Sequence, residues 1–107
     1  MGELATANVV VRSTESGPPA NDAADPVIVR LTRGVAAGDE VAFREFFDRY
    51  RDRLFRFLIV LTRGDELTAN ELVQSVMLTA AAKLRPVRTE AHVWNWLARV
   101  ARQLIAK

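Results

Sequence analysis

The segment that decides the fold is residues 43–61, FREFFDRYRDRLFRFLIVL. Its apolar side chains recur at spacings of three and four residues, which is the period of an α-helix with one buried face and not the alternation of a β-strand. Phe55 and Ile59 widen the apolar stripe, so we predict a central helix that other helices cover on two sides. The stripe consists of Phe43, Phe46, Phe47, Tyr50, Leu54, Phe57, Leu58 and Leu61.

A first helix is predicted before this segment, from about Pro26 to Ala37. Asp25 is a good N-cap, and Pro26 fits the first helical position because its missing N–H has no partner within a helix. Gly38 should end this helix. Asp39 should cap the long helix, which we expect to run to about Arg63. The inward positions of the first helix are Ile28, Leu31 and Val35.

Two further helices are predicted after the long one. Gly64 and Asp65 break the chain, and a third helix of about 66–84 must stop before Pro86. Thr89 can cap a fourth helix that continues to the end of the sequence. The inward positions of the third helix are Ala69, Leu72, Val73, Val76, Met77, Ala80 and Leu84. Those of the fourth are Trp94, Leu97, Ala98, Ala101, Leu104 and Ile105.

These patterns predict an all-α fold, a compact bundle of about four helices over residues 26–107. Residues 1–25 are rich in small and polar side chains and contain Gly17-Pro18-Pro19. This composition predicts a disordered N-terminal tail. The bundle and the tail together account for the whole sequence, so we predict one domain.

The composition argues against several classes of protein. The chain has no cysteine and one histidine, so neither a disulfide nor a metal site is predicted. No Gly-rich phosphate loop and no Ser/His/Asp or Cys/His set is present, so we predict neither an enzyme nor a cofactor. No apolar run reaches the roughly 18 residues of a membrane span, and the N-terminus lacks a signal peptide pattern. We therefore expect a soluble cytoplasmic protein that has no contact with a membrane.

The distribution of charge points to nucleic acid. Residues 27–107 contain 14 basic and nine acidic side chains, and 12 of the 14 are arginine, whose planar fork suits phosphates and base edges. In the long helix, acids and arginines interleave, and we interpret them as a solvated face with intrahelical ion pairs. In contrast, Arg85 and Arg88 flank Pro86 in a basic loop, which favours a nucleic-acid contact over simple surface charge.

The fourth helix should carry a polar arc opposite its apolar face. At about 100° per residue, one side of this helix collects the residues that contact DNA most often. Trp94 falls on the apolar arc, whereas Trp96 lies at the edge of the polar arc. Trp96 is either half-buried, with its indole edge reaching a partner, or a core residue, and the pattern leaves both open. The polar arc consists of His92, Asn95, Trp96, Arg99, Arg102 and Gln103.

Glu71 in the third helix has two competing explanations. Thr68 to Glu71 fits the capping-box pattern, in which a glutamate reaches back to the N–H of the cap residue. Alternatively, the carboxylate and Gln74 form one side of a partner-binding surface. The spacing of the residues leaves both explanations open.

These residues, in this order, resemble region 2 of the sigma-70 family of RNA polymerase sigma factors, in its extracytoplasmic-function (ECF) group. The resemblance covers about residues 27–107 and is carried by four segments, 37–43, 50–57, 71–76 and 96–103. It implies a helical bundle whose third helix docks on the clamp helices of the largest subunit of core RNA polymerase. It also implies that the following loop and the fourth helix bind the non-template strand of the promoter −10 element as it melts.

The resemblance assigns two sets of contact residues. The set expected to contact RNA polymerase is Asn70, Glu71, Gln74 and Ser75. The set expected to contact promoter DNA is Arg85, Arg88, His92, Asn95, Trp96, Arg99, Arg102 and Gln103.

Two functions follow from the resemblance. The first is a sigma-factor domain that opens the −10 element. The second is a sigma-like module that binds an anti-sigma factor or another protein without productive promoter binding; Asn70 and Ser75, where the family usually has acids, motivate it. The family's second DNA-binding domain has no counterpart in this sequence, so we expect either a fragment of a longer sigma factor or a stand-alone region 2, and the end within a basic helix favours a fragment.

Overall fold

Residues 23–106 are described by a computed structural model of the 107-residue chain, and within them four α-helices and no β-strand are found. We label the helices α1 (Pro26–Ala36), α2 (Glu40–Leu61), α3 (Glu66–Lys83) and α4 (Glu90–Ala106). The predicted all-α fold with four helices is confirmed. The predicted N-terminal tail, 1–25, lies outside the described residues except for its last three.

Side-chain caps fix where three of the helices begin, as the sequence predicts. Asp25 accepts a hydrogen bond from the N–H of Val27 at 2.9 Å and caps α1. Asp39 accepts from Val41 at 2.9 Å and caps α2. The Thr89 hydroxyl accepts from the N–H of His92 at 3.2 Å, at the start of α4. Each such cap stabilises its helix by about 1 kcal/mol.

The cap of α3 differs from the capping box that the sequence suggested. Asp65 is the N-cap, because its carboxylate accepts from the N–H of Thr68 at 3.1 Å and from the Thr68 hydroxyl at 2.8 Å. Thr68 is therefore already inside the first turn, and Glu71 lies too far along the helix to reach the cap residue. The capping-box interpretation of Glu71 is wrong.

The turn between α2 and α3 explains why α2 ends two residues earlier than predicted. Thr62 is its C-cap, and the Thr62 hydroxyl donates to the carbonyl of Leu58 at 2.8 Å. Arg63 and Gly64 then adopt left-handed backbone angles, with φ of 58° and 87°. Glycine takes such angles without strain, so Gly64 allows the chain to reverse within four residues.

The core lies along the middle of α2. α1 packs against α2 and α3, whereas α4 packs mainly against α3 and touches only the edge of α2. Fully burying one large apolar side chain stabilises a fold by about 1.5–3 kcal/mol, so this core is the main source of stability. Its largest members are Ile28, Leu31, Phe46, Tyr50, Leu54, Leu58, Val76, Met77, Val93 and Leu97. None of the helices over 23–106 is both long and apolar enough to cross a membrane.

The buried face of α4 is rotated relative to the prediction. Val93 and Val100 are buried although they were not predicted to be, while Ile105 is 40% exposed and Trp94 is only partly buried. The reason is that α4 turns its apolar face toward α3, so the flank that carries Trp94 and Ile105 meets only the edge of α2. Leu61, in the last turn of α2, is likewise 39% exposed instead of buried.

Candidate nucleic-acid and protein interfaces

The basic loop between α3 and α4 is fixed to the first helix. The Thr32 hydroxyl, which is fully buried, accepts a hydrogen bond from the N–H of Val87 at 3.0 Å and lies 3.2 Å from the Val87 carbonyl. The N–H of Asp25 donates to the carbonyl of Arg88 at 2.8 Å. The loop backbone is therefore held at two adjacent residues before any ligand binds. Thr32 was missed from the sequence, although its spacing of four from Ile28 places it on the inward side of α1.

The two loop arginines present their guanidinium groups to solvent. Arg85 and Arg88 are exposed, and neither pairs with a carboxylate among residues 23–106. An open depression lies beside Arg85, between the end of α1 and the loop, and is lined by Ala36, Ala82, Lys83, Leu84, Arg85 and Pro86. A fixed backbone with unpaired cations beside a depression is suited to hold a phosphate and an unstacked base.

The predicted polar arc of α4 lies on its exposed side. Trp96 is partly buried at the edge of this arc. The residues that the structure leaves exposed are His92, Asn95, Arg99, Arg102 and Gln103. The basic loop leads directly into this helix, so the two predicted groups of DNA contacts are adjacent on the surface.

Two acidic residues lie near this surface, and α2 neutralises one of them. Glu90 is the only acid between residues 84 and 106, and Arg49 bonds to its carboxylate at 3.1 Å. This hydrogen bond holds the pKa of Arg49 above its ordinary value. The second acid is Asp25, whose N–H bonds to the carbonyl of Arg88 and whose carboxylate caps α1. Among the described residues, the loop and the arc of α4 therefore carry more positive than negative charge.

The outer face of α3 is a second exposed surface. The four predicted polymerase contacts, Asn70, Glu71, Gln74 and Ser75, are all exposed. Leu67 and Leu78 project from the same arc and are 71% and 70% exposed. A shallow groove beside them is lined by Phe43, Phe47, Gln74, Met77 and Leu78. We define Leu67, Asn70, Glu71, Gln74, Ser75 and Leu78 as the α3 ridge.

The two exposed leucines were missed by the sequence analysis. They were passed over because an apolar residue in a bundle is ordinarily assigned to the core. The signal was nevertheless present, since both lie roughly opposite Val73 and Val76 at about 100° per residue. Exposed large apolar side chains beside polar ones are a common feature of surfaces that bind another protein.

The charged residues of α2 pair differently from the prediction. Arg30 of α1 binds Glu45 at 2.9 Å, and Arg49 binds Glu90 of α4, so these pairs join different helices. Only Arg51 and Asp52, at 3.2 Å, pair within α2 in the described part of the chain. The prediction of intrahelical pairs throughout α2 is therefore wrong, because the partners on α1 and α4 lie closer. Arg30 lowers the pKa of Glu45 through this hydrogen bond.

The described residues offer little for metal chemistry. No group of three or more histidine, cysteine, aspartate or glutamate side chains within 23–106 is arranged to hold a metal ion.

Comparison with known proteins gives one informative similarity. No protein-family model matches the chain, and no solved structure matches it. Over 89 residues it is 28% identical to the ECF RNA polymerase sigma factor BldN of Streptomyces coelicolor, an alignment that covers 82% of this chain and 33% of that protein. The chain thus spans about a third of the length of this relative. The similarity supports a distant relationship to ECF sigma factors.

Proposed function

We propose that this chain acts as a sigma-factor region 2 domain, which docks on core RNA polymerase and binds the −10 element of promoter DNA as the two strands separate. The observation that carries the proposal is the basic loop, whose backbone is bonded to Thr32 and Asp25 before DNA arrives. Such a domain binds and positions, and it performs no chemistry of its own. It would work in the cytoplasm, where promoter DNA and polymerase meet.

The DNA half of the proposal rests on the charge and rigidity of one surface. Arg85 and Arg88, together with Arg99 and Arg102 of α4, would neutralise phosphates of the non-template strand. The depression beside Arg85 would receive a base that has left the stack. Extruding a base costs a few kcal/mol, and a loop that is already ordered loses less entropy on binding, so more of the contact energy offsets that cost.

The polymerase half rests on the α3 ridge. Leu67 and Leu78 would provide apolar contacts at the two ends of the ridge, and the four polar residues between them would provide hydrogen bonds. This ridge and the basic loop lie on different parts of the surface, so one domain could bind protein and DNA at the same time.

A second candidate keeps the protein contact and omits the DNA contact. In this case the α3 ridge binds an anti-sigma factor or another protein, and the module never engages a promoter. The exposed leucines favour a protein partner of either kind. The two candidates differ in whether the basic loop binds DNA and in whether core polymerase is retained.

A titration of single-stranded DNA tests the proposal. A fluorescently labelled oligonucleotide with a −10 non-template sequence is titrated with the wild-type chain and with Arg85→Ala/Arg88→Ala, and anisotropy gives the Kd. Removing two charged contacts should weaken binding about tenfold or more. It should also reduce the slope of log Kd against log salt by about 1.4, at roughly 0.7 for each phosphate contact on a single strand.

The matched control is Arg44→Ala/Arg51→Ala. These two exposed arginines are seven residues apart on α2 and lie on a side of that helix away from α4. The control should bind DNA as the wild type does. Equal affinity of the wild type and the Arg85→Ala/Arg88→Ala variant would refute the DNA half and favour the second candidate.

A further inference from the structure

A row of side chains lies along the junction of α2 and α4. Of these, only Arg102 belongs to the surfaces described above. Arg53 of α2 lies over the ring of Trp94, with its guanidinium carbon 4.0 Å from the ring centroid. Phe57, one turn further along α2, meets Trp94 edge to face at a centroid distance of 5.5 Å. Arg102 of α4 lies 5.2 Å from the Phe57 ring. We call Arg53, Phe57, Trp94 and Arg102 the α2–α4 seam.

The guanidinium groups of the two seam arginines lie against aromatic rings, but no carboxylate among the described residues neutralises their charge. Neither Arg53 nor Arg102 pairs with a carboxylate among residues 23–106, whereas Arg30, Arg49 and Arg51 each do. A guanidinium group that stacks on a ring keeps its N–H groups at the edge of its plane, where they remain available to an acceptor. The seam therefore presents two oriented cations whose donors are unused.

Glu90, the acid near Arg53, already forms an ion pair. Glu90 is bonded to Arg49, one helical turn before Arg53 on α2. This carboxylate is therefore not free to form an ion pair with Arg53.

We propose that the α2–α4 seam binds backbone phosphates of the single-stranded DNA that α4 contacts, so that α2 contributes Arg53 to the DNA-binding surface. The inference rests on the proposed function and extends it to a second helix. Arg102 belongs both to the seam and to the polar arc of α4, which makes the two surfaces continuous. One guanidinium group lies over each of the Trp94 and Phe57 rings. Because the N–H donors of these cations suit an anionic oxygen, the ligand group is a phosphate.

The test uses the salt dependence of DNA binding. Arg53→Gln, Arg44→Gln and the wild-type chain are titrated with the same labelled single strand over a series of salt concentrations. Arg53→Gln should weaken binding about threefold to tenfold and lower the slope of log Kd against log salt by about 0.7, the value for one phosphate contact on a single strand. Arg44→Gln, an equal loss of charge on another side of α2, should change neither quantity. Arg53→Lys keeps the charge and should keep the slope.

The outcomes separate this inference from the proposed function. A wild-type slope in Arg53→Gln, together with a reduced slope in Arg85→Ala/Arg88→Ala, would overturn the seam site while leaving the function intact. Unchanged DNA binding with weakened binding to core polymerase would show that the seam is a protein contact, which also overturns the inference. Loss of any effect in Arg85→Ala/Arg88→Ala would instead count against the proposed function. Arg53 is exposed, so the substitution should leave the fold intact, and circular dichroism checks this.

Discussion

At the scale of single residues, the close approach of α1 and α2 depends on Gly34. A Cβ atom added at this position would overlap the Cβ of Ala42, which is itself buried. Helix propensity alone favours alanine over glycine by about 1 kcal/mol. The contact opposes this preference, because forcing a methyl group into a packed site typically costs about 1–3 kcal/mol.

We therefore expect Gly34→Ala to lower the free energy of unfolding by about 1 kcal/mol, even though it improves helix propensity. Urea denaturation followed by circular dichroism measures the change. Gly34→Ala/Ala42→Gly removes the overlap and should recover part of the stability. A single variant as stable as the wild type, or more stable, would show that the two helices can separate without cost.

Asp65 shows how a cap responds to pH. The N–H of Thr68 bonds to its carboxylate and lowers the pKa of Asp65 below its ordinary value. A lowered carboxyl pKa in the folded state stabilises the fold above the unfolded pKa of about 3.9. This contribution is lost as the pH falls through that value toward the lower folded pKa.

Asp65→Asn should keep most of the cap at neutral pH, since asparagine caps helices about as well as aspartate. Asparagine does not titrate, so the thermal midpoint of Asp65→Asn should decline less than that of the wild type between about pH 5 and pH 3. Asp48→Asn, an exposed substitution within α2, serves as the control. The same acid-induced decline in Asp65→Asn and in the wild type would contradict the role given to this carboxylate.

At the scale of elements, capping and turn residues made the helix boundaries predictable to within about two residues. The exception was the N-cap of α3, where the sequence offers both Asp65 as a cap and a capping box that begins at Thr68. Thr68 and Glu71 match a capping box, but Gly64 turns the chain one residue before Asp65, so Asp65 reaches the free N–H groups first. The four-residue pattern alone does not show whether Asp65 or Thr68 is the N-cap.

The orientation of α4 was less predictable than its boundaries. The apolar residues of α4 spread over a wide arc of the helix, and the sequence does not show which edge of that arc packs against α3. The bundle places α4 against α3 and leaves Trp94 at the edge of α2, where Arg53 and Phe57 can reach it. The seam could not be foreseen, because it depends on a contact between residues about 40 positions apart.

The loop between α3 and α4 depends on Thr32, which lies 55 residues from Val87 in sequence. Thr32→Val should leave a buried N–H without a partner and cost about 1–3 kcal/mol of stability. It should also speed hydrogen exchange at the amide of Val87 and weaken binding to single-stranded DNA. Thr79→Val is the control, because Thr79 bonds only to Ser75 within its own helix among the described residues. Unchanged exchange at Val87 in Thr32→Val would show that the loop does not need this anchor.

At the scale of the whole molecule, the described chain carries two surfaces of different chemistry. The loop and α4 present mainly cations, and the α3 ridge presents a leucine at each end of a polar row. The class of the fold was predicted from the sequence, and the residues proposed as contacts are exposed except Trp96, which is partly buried. The exposed leucines, the bond from Thr32 and the seam required the packed structure, because each depends on which face a helix turns outward.

The central claim is that these surfaces are separate and bind different partners. The direct measurement is a paired titration in which each protein is tested with labelled −10 single-stranded DNA and with core RNA polymerase. Leu78→Glu should weaken binding to polymerase about tenfold or more, because it places a charge on the apolar side chain that lines the groove beside the ridge, and should leave DNA binding unchanged. Arg85→Ala/Arg88→Ala should show the reverse. If either variant weakened both interactions equally, or if the wild-type chain bound neither partner, the account of two separate surfaces would be contradicted.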